Sequence, residues 1–172
     1  MRSSIFSWLL LLIPLTGCGV YSFTGASISP EVKTVSIQQF YNNAPLGPSN
    51  MSVLFTEKLK DYFQRNTSLT FVDRNGDLQF DGYIDNFTIS PVGANSSGNS
   101  RDVDYAQLSR ITITVFASYT NVKDDEFDFE KRFSFFKDYD QSEDLSANEQ
   151  AYTEEIFDQI VIDIFNASVA NW

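Results

Sequence analysis

Leu15-Thr16-Gly17-Cys18 is the stretch whose residue types promise a defined chemistry. One basic residue, Arg2, an apolar run from Ile5 to Ile13, and Pro14 precede it. A basic start, a short apolar stretch and small residues before a cut make a signal peptide. The run is too short to span a membrane, which takes ~20 apolar residues. The site ends on cysteine, where ordinary secretory cleavage would have a small residue, so Leu-Thr-Gly-Cys reads as a bacterial lipobox. There the Cys18 thiol becomes a thioether to diacylglycerol, the chain is cut before it, and the new amino terminus takes a third acyl chain. Each buried methylene contributes ~0.8 kcal/mol, so more than one long chain (palmitate, for example) makes an anchor that does not readily let go. Cys18 is the only cysteine, so the exported chain has no internal disulfide and its thiol is best used for lipid.

Other chemistries find less support. Histidine is absent, which removes the commonest general base, the usual zinc ligand and the Ser-His and Cys-His pairs. Asp73-x-Asn75-Gly76-Asp77 begins like a calcium loop, but an EF-hand needs glycine sixth and a bidentate acid twelfth. Here Gly76 is fourth and Ile84 twelfth, so a turn with solvated carboxylates is expected and no metal site. Any two of the 23 acids could act as a glycosidase pair, yet no spacing brings two together. An envelope hydrolase therefore remains a rival without a named residue, and no cofactor is expected beyond the lipid on Cys18.

Composition narrows the partners. Loss of Arg2 with the signal leaves 11 basic against 23 acidic side chains, a mature charge near −12. Such a chain is not built for nucleic acid, nor for electrostatic docking on anionic headgroups. The acyl chains must hold it to the membrane. The absence of an acidic run after Gly19 fits outer-membrane sorting, facing the periplasm.

The elements follow from periodicity. Residues 1–17 are the signal peptide, 18–30 a Ser/Gly-rich lipidated tether, and 31–172 one domain. Glu31 to Tyr41 alternates as a strand, and Asn42 to Ser49 is loop. A helix from about Asn50 to Arg65, capped by Ser49 or Asn50, carries Met51, Phe55, Leu59, Tyr62 and Phe63 as one stripe. Thr70 to Val72 is a short extended piece. Asp77 to Ser90 is a long strand whose apolar parity changes near Asp85-Asn86, the mark of a bulge. Val92 to Gln107 is a long polar loop. Leu108 to Asn121 and Phe127 to Tyr139 complete an antiparallel meander, the last with Phe127, Phe129, Phe133 and Phe135 on one face. Ser146-Ala147-Asn148-Glu149 fits a capping box for a final helix to about Ala170. Glu154, Glu155 and Asp158 are expected near its positive end. The predicted class is α+β: two helices on one face of a mixed four-stranded sheet, in the order β-α-β-β-β-α, with the first crossover making a parallel pair.

In this order the segments resemble the LptE family of lipopolysaccharide-assembly lipoproteins, in the form found in the Bacteroidetes. The likeness rests on Cys-Gly-Val-Tyr-Ser-Phe-Thr-Gly (18–25), Thr34-Val35-Ser36-Ile37, Gly76 to Gly82, Ile111 to Val115, Asp128-Phe129-Glu130, and Asp163-Ile164-Phe165-Asn166 leading to Trp172. The resemblance implies a periplasm-facing outer-membrane lipoprotein, not an enzyme, that plugs the LptD β-barrel and helps it fold and pass lipopolysaccharide outward. Lipopolysaccharide is itself a candidate partner, although no basic patch for its phosphates stands out. The rival binding role is an adaptor lipoprotein for another envelope complex.

The candidate contact residues lie in two loops expected at one end of the sheet. Asn43 and Pro45 belong to the first, Asn95 and Asn99 to the second. Arg101 and Arg110 flank the second as partners for barrel carboxylates or lipid phosphates.

Overall fold

A computed structural model describes residues 28–92 and 108–170. The lipobox with Cys18, most of the tether, and Asn95, Asn99 and Arg101 lie outside the described residues.

The elements in chain order are β1 (Thr34–Ile37), β2 (Tyr41–Asn42), α1 (Met51–Asn66), β3 (Thr70–Phe71), β4 (Leu78–Pro91), β5 (Leu108–Asn121), β6 (Phe129–Asp140) and α2 (Leu145–Val169). They form one mixed sheet in the order β3-β1-β4-β5-β6, with β2 beside β4 further along. The expected β1–β4 crossover pair is parallel, and β4, β5 and β6 are the antiparallel meander. The register shifts between Ile84 and Asn86, where the parity change places the bulge.

Six strands replace the expected four, because the first strand breaks at Phe40. Its N–H donates to Thr56 Oγ1 (3.0 Å) and its carbonyl accepts from Ser52 Oγ (2.6 Å). Two hydroxyls of α1 thus take the hydrogen bonds a ladder would have made. The chain resumes pairing as β2, and the short extended piece after α1 becomes β3, parallel to β1.

Both helices cover the same face. The α1 stripe buries Met51, Phe55, Leu59 and Phe63 completely, and α2 does the same with Ile156, Phe157, Ile160 and Ile164. Between them runs a column of rings. Phe55 meets Phe40 and Phe157 edge-on, each at 5.0 Å, and Phe63 meets Phe80 and Phe165. A second line, Phe80–Tyr119–Phe129–Phe133, crosses the strands beneath. Gly82 makes the middle of β4 possible, since a Cβ there would lie 2.1 Å from the Phe116 carbonyl oxygen and 2.6 Å from the Phe40 ring.

The helix starts differ from expectation. The α2 cap is Asp144, whose carboxylate accepts from the Ser146 N–H at 3.0 Å, so Ser146 lies inside the first turn and the capping box does not form. With the helix starting at Leu145, the cap position falls to Asp144, whose carboxylate takes one of the first free N–H groups. Glu154, Glu155 and Asp158 sit more than two turns into α2, out of the dipole's reach. Instead Glu155 pairs with Lys137 and Asp158 with Lys58, each at 2.6 Å. Asn50 occupies the α1 cap position without capping, and its side chain donates to Gln150 of α2.

Candidate functional site: two poles and an open sheet face

The long strands give the domain two distinct ends. At the first, β4 begins, β5 ends and the described chain enters the fold: Ile28 and Ser29 lie in one small depression with Leu78, Tyr119 and Val169. Asp77 ties this end together. Its Oδ2 accepts from the N–H groups of Lys33 (2.9 Å) and Thr34 (3.0 Å) and from Thr34 Oγ1 (2.9 Å). Its Oδ1 lies 3.3 Å from the Lys123 ammonium. The carboxylate read from sequence as a solvated turn acid is therefore fully engaged. These donors, led by the Lys33 amide and the Thr34 hydroxyl, hold it well below the usual carboxylate range. The turn before it does form, with Asn75 in the left-handed region at φ 54°.

A pH test follows. A carboxylate whose folded pKa is depressed stabilises fully above its unfolded pKa, about 3.9, and loses that contribution as pH falls through the folded value. Asp77→Asn should therefore lower the urea midpoint at pH 7, with the gap to the parent closing progressively below about pH 4. A gap constant with pH would remove Asp77 from the clamp.

At the opposite end β4 finishes and β5 starts, joined across the 93–107 segment by the Val92 N–H donating to the Leu108 carbonyl (2.9 Å). Loop 43–50 leaves β2 beside the middle of β4, where Asn42 is level with Ile84, and runs along the second half of that strand. Asn43 donates its N–H to the Ile84 carbonyl (3.0 Å), and Asn42 Oδ1 accepts from Ala44 N–H. Gly47, at φ +94°, packs directly on Phe87 and Met51, where a Cβ would lie 2.7 Å from the Phe87 ring. Asn43 and Pro45 are exposed, and so are Tyr41, Leu46 and Ile89, at 73%, 56% and 42%. This end therefore presents apolar side chains to solvent.

The sheet face away from the helices is the third feature. Tyr83 and Phe116 stack there at 5.0 Å, Arg132 bonds Asp85 at 2.7 Å, and the Thr114 and Ser134 hydroxyls meet at 3.1 Å. Arg110 belongs to this face. Its Nε and Nη2 donate to the two oxygens of Asp138 (2.6 and 2.8 Å), and the guanidinium lies 3.7 Å over the Phe136 ring. The ion pair holds Asp138 below the usual carboxylate range. Arg110, expected to reach outward to carboxylates or phosphates, thus already has a carboxylate of its own.

Phe116, Arg132 and Phe136 were not among the residues singled out from sequence. The available signal was Phe116 itself, one aromatic among Thr112, Thr114 and Ser118 on the polar parity of β5.

Chemically the described residues offer recognition. Among them no group of three acidic or thiol side chains is placed to hold a metal, and every buried side-chain polar atom has a partner. A concavity of about 570 Å³ between α1 and the β1–β3 edge is a shallow polar groove walled by Gln38, Glu57, Lys60 and Asp73.

The fold has relatives among solved structures. The hypothetical protein CT253 from Chlamydia trachomatis is similar over 78% of this chain and 97% of its own, at 8% identity and a TM-score of 0.51. A minor lipoprotein from Acinetobacter baumannii covers 79% of this chain and 91% of its own (12% identity, TM-score 0.48). The rare lipoprotein B from Shewanella oneidensis covers 78% and 89% (12% identity, TM-score 0.48). No curated protein matches by sequence. The family model described as "LptE: Lipopolysaccharide-assembly" matches residues 32–168, spanning every strand and nearly all of α2. The chain therefore belongs to the LptE family of lipopolysaccharide-assembly lipoproteins, a non-enzymatic family of the cell envelope.

Proposed function

We propose that this protein is a lipid-anchored plug for an LptD-type outer-membrane β-barrel. Acyl chains on Cys18 hold it at the periplasmic leaflet, and the end formed by loops 42–49 and 92–107 enters the lumen. There it supports barrel folding and the outward passage of lipopolysaccharide. The observation that carries this reading is the opposition of the two ends. Ile28 and Ser29 lie where the 14-residue strand β4 starts, loop 43–50 runs beside its second half, and the chain leaves for the second loop at Val92, where β4 has finished.

At ~3.3 Å per residue such a strand is about 45 Å long, more than the ~30 Å hydrocarbon thickness of a bilayer. The ten residues 18–27 can add up to ~35 Å of reach. A domain tethered at one end can thus present the other deep inside a pore, with the anchor keeping it at high effective concentration. The exposed Tyr41, Leu46 and Ile89 supply apolar area where contact is needed.

Capture of the barrel from detergent-solubilised outer membranes tests the proposal. Replacing 92–107 by a short Gly/Ser turn should reduce capture at least tenfold, an interface loss of ~1.4 kcal/mol or more, while the thermal melt stays cooperative. Undiminished capture by the folded variant would take that loop out of the interface. The rival reading, an adaptor for another envelope complex, predicts co-purification without any large β-barrel.

A further inference from the structure

The outer edge of β6 fits no role described so far. Among the described residues no strand pairs with it, so one side of a 12-residue strand shows its backbone N–H and C=O groups to solvent. Such an edge is a template for another strand. Its side chains are not those of a fully blunted edge either. Phe135 and Phe136 are consecutive, point to opposite faces, and are exposed at 37% and 43%.

The charges around this aromatic window read almost as a palindrome centred on Ser134. Phe133 and Phe135 flank the centre, Lys131 and Lys137 follow, then Glu130 and Asp138, and finally Asp128 and Asp140. The pattern decides which occupant the edge can take. Two copies of β6 pairing antiparallel about Ser134 would set phenylalanine against phenylalanine. They would also set Lys131 opposite Lys137 twice and Glu130 opposite Asp138 twice, and like charges directly opposite are destabilising. Moving the register by two residues in either direction still sets acids against each other twice, Glu130 opposite Asp140 or Asp128 opposite Asp138.

A strand with carboxylates three residues either side of an apolar centre meets no such conflict, because its acids fall opposite Lys131 and Lys137. Both ammonium groups can respond. Lys131 is exposed, lies over the Phe129 and Phe133 rings at 4.9 and 4.8 Å, and has no carboxylate partner among the described residues. Lys137 pairs with Glu155 in a contact exposed on both sides, which exchanges easily.

We infer that the β6 edge is a docking site for an extended strand of a different protein, one with an apolar centre flanked by carboxylates. The charges that discourage self-pairing select this complement. The inference does not depend on the barrel reading, since any partner with such a strand would satisfy it.

The test uses the full-length lipoprotein in detergent and two synthetic nonapeptides, Thr-Glu-Val-Val-Thr-Val-Thr-Glu-Thr and its counterpart with both Glu replaced by Lys. The acidic peptide should bind about tenfold more tightly, since two cross-strand pairs change from attraction to repulsion. Binding should slow hydrogen exchange of amides within 130–138. The double variant Lys131→Glu, Lys137→Glu should reverse the preference, and because both positions are surface charges its fold can be checked by the same exchange profile. Equal affinity for the two peptides, no binding at about 1 mM, where even weak docking registers, or protection confined to other elements would overturn the proposal. So would β6 protection that rises with protein concentration alone, which would make a second copy the occupant.

Discussion

Exported behind an ordinary cleavable signal peptide, a Cys18→Ala variant is expected to leave the membrane fraction completely and to incorporate no radiolabelled palmitate. A single sixteen-carbon chain contributes on the order of 12 kcal/mol of membrane transfer free energy, and the lipobox chemistry attaches more than one. The charge of residues 18–172 is near −12, which repels anionic headgroups, and among the described residues no helix is long and apolar enough to cross a membrane. Folding should not change, because Cys18 precedes the sheet and its helices by the length of the tether. Membrane retention or palmitate label in the variant would remove the anchor from the account. Capture of the barrel should also weaken sharply in cells while surviving in detergent at high concentration, because the tether acts through proximity.

The second large effect lies in the ring column between the helices. Phe55→Ala is expected to cost about 3–5 kcal/mol, the range for truncating a fully buried phenylalanine. For a domain of this size that lowers the melting midpoint by roughly 10–15 °C. Phe55 touches Phe40 on the strand side and Phe157 on α2, both edge-on at 5.0 Å, so the cavity opens where three elements meet. Phe136→Ala gives the contrast. That ring is 43% exposed, and its main partner is the Arg110 guanidinium, so its loss should cost at most about 1 kcal/mol. Urea melts of both variants make the comparison. A Phe55→Ala midpoint close to that of the parent would mean the helices are not joined through this ring.

Much of the architecture can be read from residue order because it depends on local, repeating constraints. The stripe Met51, Phe55, Leu59 and Phe63 has one way to bury itself as a helix. The alternation from Ile111 to Tyr119 has one way to do so as a strand, and the parity slip beside Asp85 locates the bulge. Family membership follows from the same order of segments, residues 32–168. The first strand departs from its expected length through a long-range contact. Nothing near Phe40 in the chain announces that Ser52 and Thr56 will claim its backbone and divide the first strand. At α2 the helix starts two residues earlier than the Ser146 motif implies, so Asp144 is the cap and Ser146 donates its N–H to it.

The candidate contact residues separate along the same line. The expected lipidation of Cys18 rests on four consecutive residues, Leu15 to Cys18, and is read without reference to the fold. What Arg110 can do is not local: its charge belongs to Asp138 and its plane to Phe136, residues 26 to 28 positions away that only the β5–β6 register brings beneath it. The clamp at Asp77 also depends on strands meeting, since its donors come from Lys33 and Thr34 across more than 40 residues. Periodicity and short motifs therefore determine which elements exist. The pairing of charges and the exposure of the β6 edge are decided by tertiary structure, because they depend on which side chains face one another across strands.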